Sequence, residues 1–142
     1  MKHISRTAVI CAIGFSYVAF AASPKSTADW VYVGNDGHGD SYYSKASIKR
    51  EGDFASVRTV MNAKDSKQFT GTSQSFKSFV SYFVFDCKRW MFTMQNTFTY
   101  AEDFGEGSLI LGLDEQRKAT AEDIKPIDKK HLLHKAALSA CK

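Results

Sequence analysis

Two clusters and one cysteine in this chain offer residue types that could do chemistry. Asp36, His38 and Asp40 alternate within a loop that also holds Gly34, Gly37 and Gly39. A carboxylate–imidazole–carboxylate set could hold a divalent ion or transfer protons. The same glycine, asparagine and aspartate content is also the ordinary composition of a turn, and a turn is the expectation. His131 and His134 stand three apart on a predicted helix and could share a metal. No cysteine or carboxylate at ligand spacing joins them, so they read as solvated residues on the helix's outer side. Cys87 cannot be a nucleophile if it is bridged. The sequence contains no Gly-x-Ser-x-Gly elbow, no phosphate-binding loop and no His-Glu-x-x-His helix. A non-enzymatic protein with no cofactor and no metal is therefore expected.

The aromatic residues, 13% of the chain, offer a different function. Tyr and Trp are enriched at the hot spots of interaction surfaces, but they also fill cores and pair across strands. Which role they play depends on the elements that carry them. The chain is 142 residues long. Its first 21 read as a secretory signal peptide. Lys2 and Arg6 supply positive charge, Thr7 to Phe20 is uncharged and apolar, and Ala19-Phe20-Ala21 fits a cleavage site before Ala22. The apolar run is shorter than the roughly 20 residues that cross a bilayer. Cys11 lies inside that run and belongs to the discarded segment. Residues 22–29 read as a flexible leader, and 30–142 as one β-rich domain. No later stretch is apolar enough to span a membrane. The net charge of +4 falls to +2 when Lys2 and Arg6 are removed. That is too weak to argue for nucleic acid as a partner.

Cys87 and Cys141 remain after cleavage. An exported protein meets an oxidising compartment, so the two are expected to pair. Closing so long a loop is worth on the order of 4 kcal/mol in the chain-entropy model.

Strands dominate the mature chain. Trp30 to Val33 is a β-prone run, and Tyr42-Tyr43 with Ile48 marks a second extended stretch. Phe54 to Met61 alternates, with Ala55, Val57, Thr59 and Met61 on one face. Asn62 to Ser73 is polar and reads as a loop. Phe76 to Cys87 is apolar on both faces and reads as a central strand, with Tyr82 on the face opposite Phe83 and Phe85. Trp90 to Tyr100 resumes after Lys88-Arg89 as its antiparallel partner. Ala101 to Gly107 is an acidic turn, and Ser108 to Leu113 a short apolar run. Asp114 to Lys125 is charged and exposed, and Ile124, Pro126 and Ile127 tuck the chain back. Asp128 caps a helix from Lys129 to about Ala140, with Leu133, Ala136, Ala137 and Ala140 on one stripe. The fold class is α+β. A single antiparallel sheet of about five to six strands carries one C-terminal helix on one face, stapled by the disulfide.

One stripe covers one sheet face. The other face should expose aromatics. Tyr82 with one or more of Trp90, Phe92 and Tyr100 is predicted to line it, with Lys88 and Arg89 at the rim.

The chain runs through Trp30-Val31-Tyr32-Val33, a Tyr-Tyr-x-x-x-Ser-Ile segment from Tyr42 to Ile48, and Phe85-Asp86-Cys87-Lys88. Tyr100, a glycine-bearing turn before Leu109-Ile110, Lys125-Pro126-Ile127 and Cys141 follow. This order of motifs resembles the surface-adhesin protein E family of Gram-negative bacteria. Ser44 stands where the family usually has Asp, and no lipidation signal is present. The resemblance implies an antiparallel sheet with a C-terminal helix. It also implies binding of host extracellular-matrix or serum proteins, at the cell surface or outside it. A periplasmic structural or inhibitor-type domain is the alternative, and a homodimer is compatible with either.

Overall fold

Strand boundaries follow the turn chemistry. The computed structural model describes residues 29–68, 73–113 and 123–142. Strand β1 (Trp30–Asn35) turns through the glycine-rich loop into β2 (Gly39–Ser44). A one-turn 3-10 segment at Lys45–Ser47 leads to the short β3 (Lys49–Glu51). A Gly52-Asp53 turn, with Gly52 at φ 58°, opens β4 (Phe54–Gln68). Then come β5 (Ser75–Asp86), β6 (Met91–Tyr100), the edge strand β7 (Leu109–Leu113) and the two-residue β8 (Lys125–Pro126). Helix α1 (Leu133–Ala140) closes the fold. Among the described residues the strands form one eight-stranded sheet, in the order β1-β2-β4-β5-β6-β7, with β3 added beside β4 and β8 beside β6. Every pairing is antiparallel. The sheet thus extends past the expected five to six strands by two short additions.

Two segments differ from expectation. The polar stretch after Met61 is not all loop. Strand β4 continues to Gln68, pairing Lys67 with Phe76 and Gln68 with Ser75 after an irregularity that follows Asn62. Backbone pairing with β5 extends the hairpin where side-chain pattern gives no signal. The helix begins at Leu133, not Lys129. Asp128 instead closes a separate turn, its carboxylate accepting from the Lys130 N–H at 2.9 Å. The His131 ring nitrogen Nδ1 then accepts from the Leu133 N–H at 3.2 Å. Two side chains thus satisfy N–H groups ahead of the regular turns, as a helix start requires. Of the charged stretch from Asp114, residues 114–122 lie outside the described residues.

The core lies between α1 and the end of the sheet nearest Cys87. Ala55, Val57 and Phe85 are buried with Tyr43 and Phe92 on the first face. Leu133, Ala136, Ala137 and Ala140 face them, and Ile127 fills the flank. The alanines have no exposed surface and let the helix backbone approach the sheet closely. A Cβ at Gly34 would sit 2.7 Å from the Leu132 side chain, so β1 also needs that glycine for the approach. Cys87 and Cys141 form the expected disulfide, with Cα atoms 5.4 Å apart.

Candidate binding surface

Both histidine-bearing clusters serve the fold. The Asp36 carboxylate accepts the backbone N–H groups of His38 at 2.9 Å and Gly39 at 3.3 Å. Asp40 accepts from the Asn35 amide at 2.8 Å, and Asn35 accepts from the Gly37 N–H at 2.7 Å. Both carboxylates are engaged in closing the β1–β2 turn. His131 and His134 each pack on a different aromatic, Phe92 at 5.1 Å and Trp90 at 6.0 Å between ring centroids. Among the described residues no group of three or more His, Cys, Asp or Glu is arranged to hold a metal.

The predicted aromatic face divides. Strand pairing puts Tyr82 opposite Asn96 but Phe83 opposite Met94, so β6 carries one extra residue, Gln95. Such a bulge reverses which side chains face which side beyond it. Tyr100 and Phe98 therefore share the second face with Tyr82, whereas Phe92 crosses to the helix side and is 8% exposed. This corrects the placement of Phe92, which is core. Trp90 is corrected as well. It lies in the β5–β6 turn at φ 57°, half-buried against His134 and beside the core. Arg89 is not a free rim charge. Its Nε donates to Asp86 Oδ2 at 2.6 Å, and its backbone N–H donates to Asp86 Oδ1 at 2.8 Å. These bonds, the Arg89 backbone bond first, hold the Asp86 carboxyl below its ordinary pKa. Lys88 stays exposed at the same turn.

The second face has a cover that the residue pattern did not announce. The stretch from Ala101 to Gly107 folds back over the upper half of the sheet, the half away from Cys87. Ser78, fully buried, donates its hydroxyl to the Glu102 carbonyl and accepts the Gly105 N–H at 2.9 Å. The Phe104 N–H donates to the Asn62 side chain at 2.8 Å. The Phe104 ring, carried at φ 57°, then packs on Tyr42 at 5.1 Å and Trp30 at 6.3 Å. Val60 and Val80 are buried beneath this cover. Burial, and then nearby Asp40, pushes the Tyr42 phenol above its ordinary pKa. The one sequence feature that sets this turn apart is a large aromatic, Phe104, among its acidic residues.

Each face is thus half covered. On the first face the eight-residue helix leaves a largely apolar groove of about 600 Å³, walled by Met61, Phe79, Phe83 and Met94. The paired hydroxyls of Ser81 and Thr97, 3.0 Å apart, lie within it. On the second face the lower half is open. Tyr82 is 38% exposed there and Phe54 47%. Beside Tyr82 lies a hollow of about 400 Å³ bordered by Ser44, Lys49, Ser56, Arg58 and Gln95. An open sheet face with aromatic side chains and a nearby cation has the composition of a protein-binding surface.

Comparison with known proteins agrees with this architecture. The model of the surface-adhesin protein E family matches residues 30–142. Solved structures of Haemophilus influenzae protein E superpose on the fold. A crystal structure from a non-typeable strain is 17% identical, with a TM-score of 0.62 over 82% of this chain and 78% of that one. A second crystal form of protein E gives 0.65 at 17% identity, covering 82% of this chain and 89% of that one. No curated protein sequence matches. With its helix-backed antiparallel sheet and a family match across all of its described strands, the chain belongs to the surface-adhesin protein E family.

Proposed function

We propose that the exported chain is a non-enzymatic binding module that holds host extracellular-matrix or serum proteins on the open lower half of its second sheet face. The observation that carries this reading is the exposure of Tyr82 and Phe54 on a strand surface whose other half is sealed by the Phe104 lid. Membership of a surface-adhesin family supports the exported location. Lys88 at the adjoining turn extends the candidate surface, whereas Tyr100 shares the face but stands opposite Ser78 on the lidded half, and Phe92 and Trp90 support the surface from the core side.

The test is binding of the purified mature chain to immobilised matrix extract and to serum proteins. Tyr82→Ala should weaken capture by about five- to thirtyfold, the usual loss at an aromatic anchor of about 1–2 kcal/mol. Its melting temperature should stay near wild type, because the side chain is partly exposed. Wild-type chain that captures nothing from either source would end the host-ligand reading. A Tyr82-dependent shift from dimer to monomer in light scattering would assign the face to self-association instead.

A further inference from the structure

The hollow on the second face contains a cation, Arg58, whose guanidinium no hydrogen bond or ion pair among the described residues uses. Arg58 sits mid-strand in β4, opposite Tyr82 of β5 and one step past the pair of Thr59 with Tyr43 of β2, which brings it beside Ser44. Ser44 is small and buried, so the guanidinium reaches across it and lies over the Trp30 ring, 5.0 Å from its centroid. That stacking holds the planar fork in one orientation. Its Nε is buried and has no hydrogen-bond partner. None of the hydrogen bonds or ion pairs among the described residues uses the guanidinium, the Arg58 backbone N–H being the group that donates to Ser47 at 2.8 Å. A buried donor left unpaired is costly, on the order of 1–3 kcal/mol, so the Arg58 Nε calls for an acceptor.

The surroundings select the ligand's charge. Lys49 borders the same hollow, with the hydroxyl residues Ser47 and Ser56. The one carboxylate on its border, Asp29, already accepts from the Ser44 hydroxyl at 2.9 Å and the Ala46 N–H at 3.3 Å. Two cations therefore face one anion that is hydrogen-bonded elsewhere. A fixed guanidinium offers paired N–H donors that match a carboxylate, and Tyr82 and Gln95 stand at the mouth where a peptide backbone would pass.

We infer that the Arg58 hollow is a carboxylate pocket that receives an Asp or Glu side chain of an acidic partner polypeptide. The inference deepens the binding-face reading and rests on it for the partner's being a protein. Arg58 would supply the bidentate bond, Lys49 the second positive charge, and Tyr82 apolar contact beside the acidic residue.

The test titrates the full mature chain with a hexaglutamate peptide, following the Arg58 Nε–Hε resonance by NMR. That resonance should move saturably with hexaglutamate and stay still with hexaglutamine. Arg58→Lys keeps the charge and loses the fork, and should weaken hexaglutamate binding by at least about tenfold. An Nε–Hε signal unmoved at saturating peptide, or an Arg58→Lys variant that binds as wild type, would overturn the pocket. Acetate at the same carboxylate concentration that shifts the resonance equally would overturn the acidic-peptide assignment. Failure here is separable from failure of the proposed function. A shifting Arg58 with no captured host protein sinks only the host ligand. Tyr82-dependent capture with a silent Arg58 sinks only the pocket.

Discussion

Single side chains decide the ends of the strands, and Asp86 shows how. Its carboxylate accepts backbone N–H groups from Lys88 and Arg89 and pairs with the Arg89 guanidinium, so one residue shapes the turn between β5 and β6. Because those bonds favour the ionised form, the folded pKa lies below the unfolded value of about 3.9. The contribution is fully present above that unfolded value and is lost as pH falls through it toward the folded pKa. Asp86→Asn should therefore lower the urea midpoint by a constant amount from pH 7 to about pH 5, with the gap from wild type closing below about pH 4. A gap that persists undiminished at low pH would show that the charge is not what matters. Gly39 makes a second residue-scale prediction. A Cβ there would lie 2.1 Å from the Asn62 carbonyl oxygen, closer than any contact can be. Gly39→Ala should push β2 off β4 and cost more than about 2 kcal/mol in denaturant unfolding, within the upper range for single substitutions.

At the scale of elements, the helix and the lid each seal half of one sheet face. The helix relies on Ala136, Ala137 and Ala140 for its close fit and on the Cys87–Cys141 bridge to keep it there. Removing the bridge with Cys141→Ser should lower the melting temperature by at least about 10 °C, since a long loop contributes on the order of 4 kcal/mol and each kcal/mol shifts a domain of this size by about 3–5 °C. An unchanged melting curve would make the bond irrelevant to stability. The lid relies on Phe104, held in the left-handed region by its neighbours. Phe104→Ala removes the ring from Tyr42 and Trp30, and should both destabilise the chain by about 2–4 kcal/mol and expose enough apolar surface to bind a hydrophobic dye. Dye binding unchanged from wild type would mean that the upper face stays closed without it. The period-two alternation made β4 and β5 legible in the sequence, along with their helix-side residues Ala55, Val57 and Phe85. The bulge at Gln95 was not legible. An inserted residue leaves composition and alternation intact on both sides, and only the pairing with β5 reveals that the phase has changed.

For the molecule as a whole, the two half-covered faces leave one exposed aromatic surface and one apolar groove. Among the described residues no helix is long and apolar enough to cross a membrane. Exported material should carry a mature N-terminus at Ala22 or within about two residues of it, read by mass spectrometry; intact Met1 on membrane-extracted protein would refute cleavage. The long strands and the helical stripe were legible from residue type and spacing, because periodicity is a local property of the chain, and the Cys87–Cys141 pairing was legible from the cysteine count, because the export reading left only two to pair. The family could be named from the same short motifs. Which aromatics face solvent was settled only by the tertiary structure. Phe92 and Tyr100 have the same parity in the sequence, and a bulge separates them. Trp90 has the look of a strand residue, and a left-handed turn takes it to the helix. Ala101 to Gly107 reads as a plain turn, and contacts with Ser78 and Asn62, far away in sequence, make it a cover. Arg58 looks like an ordinary strand cation until its guanidinium is found over Trp30 without an acceptor. In each case the deciding contact joins residues distant along the chain, and periodicity carries no information about such contacts.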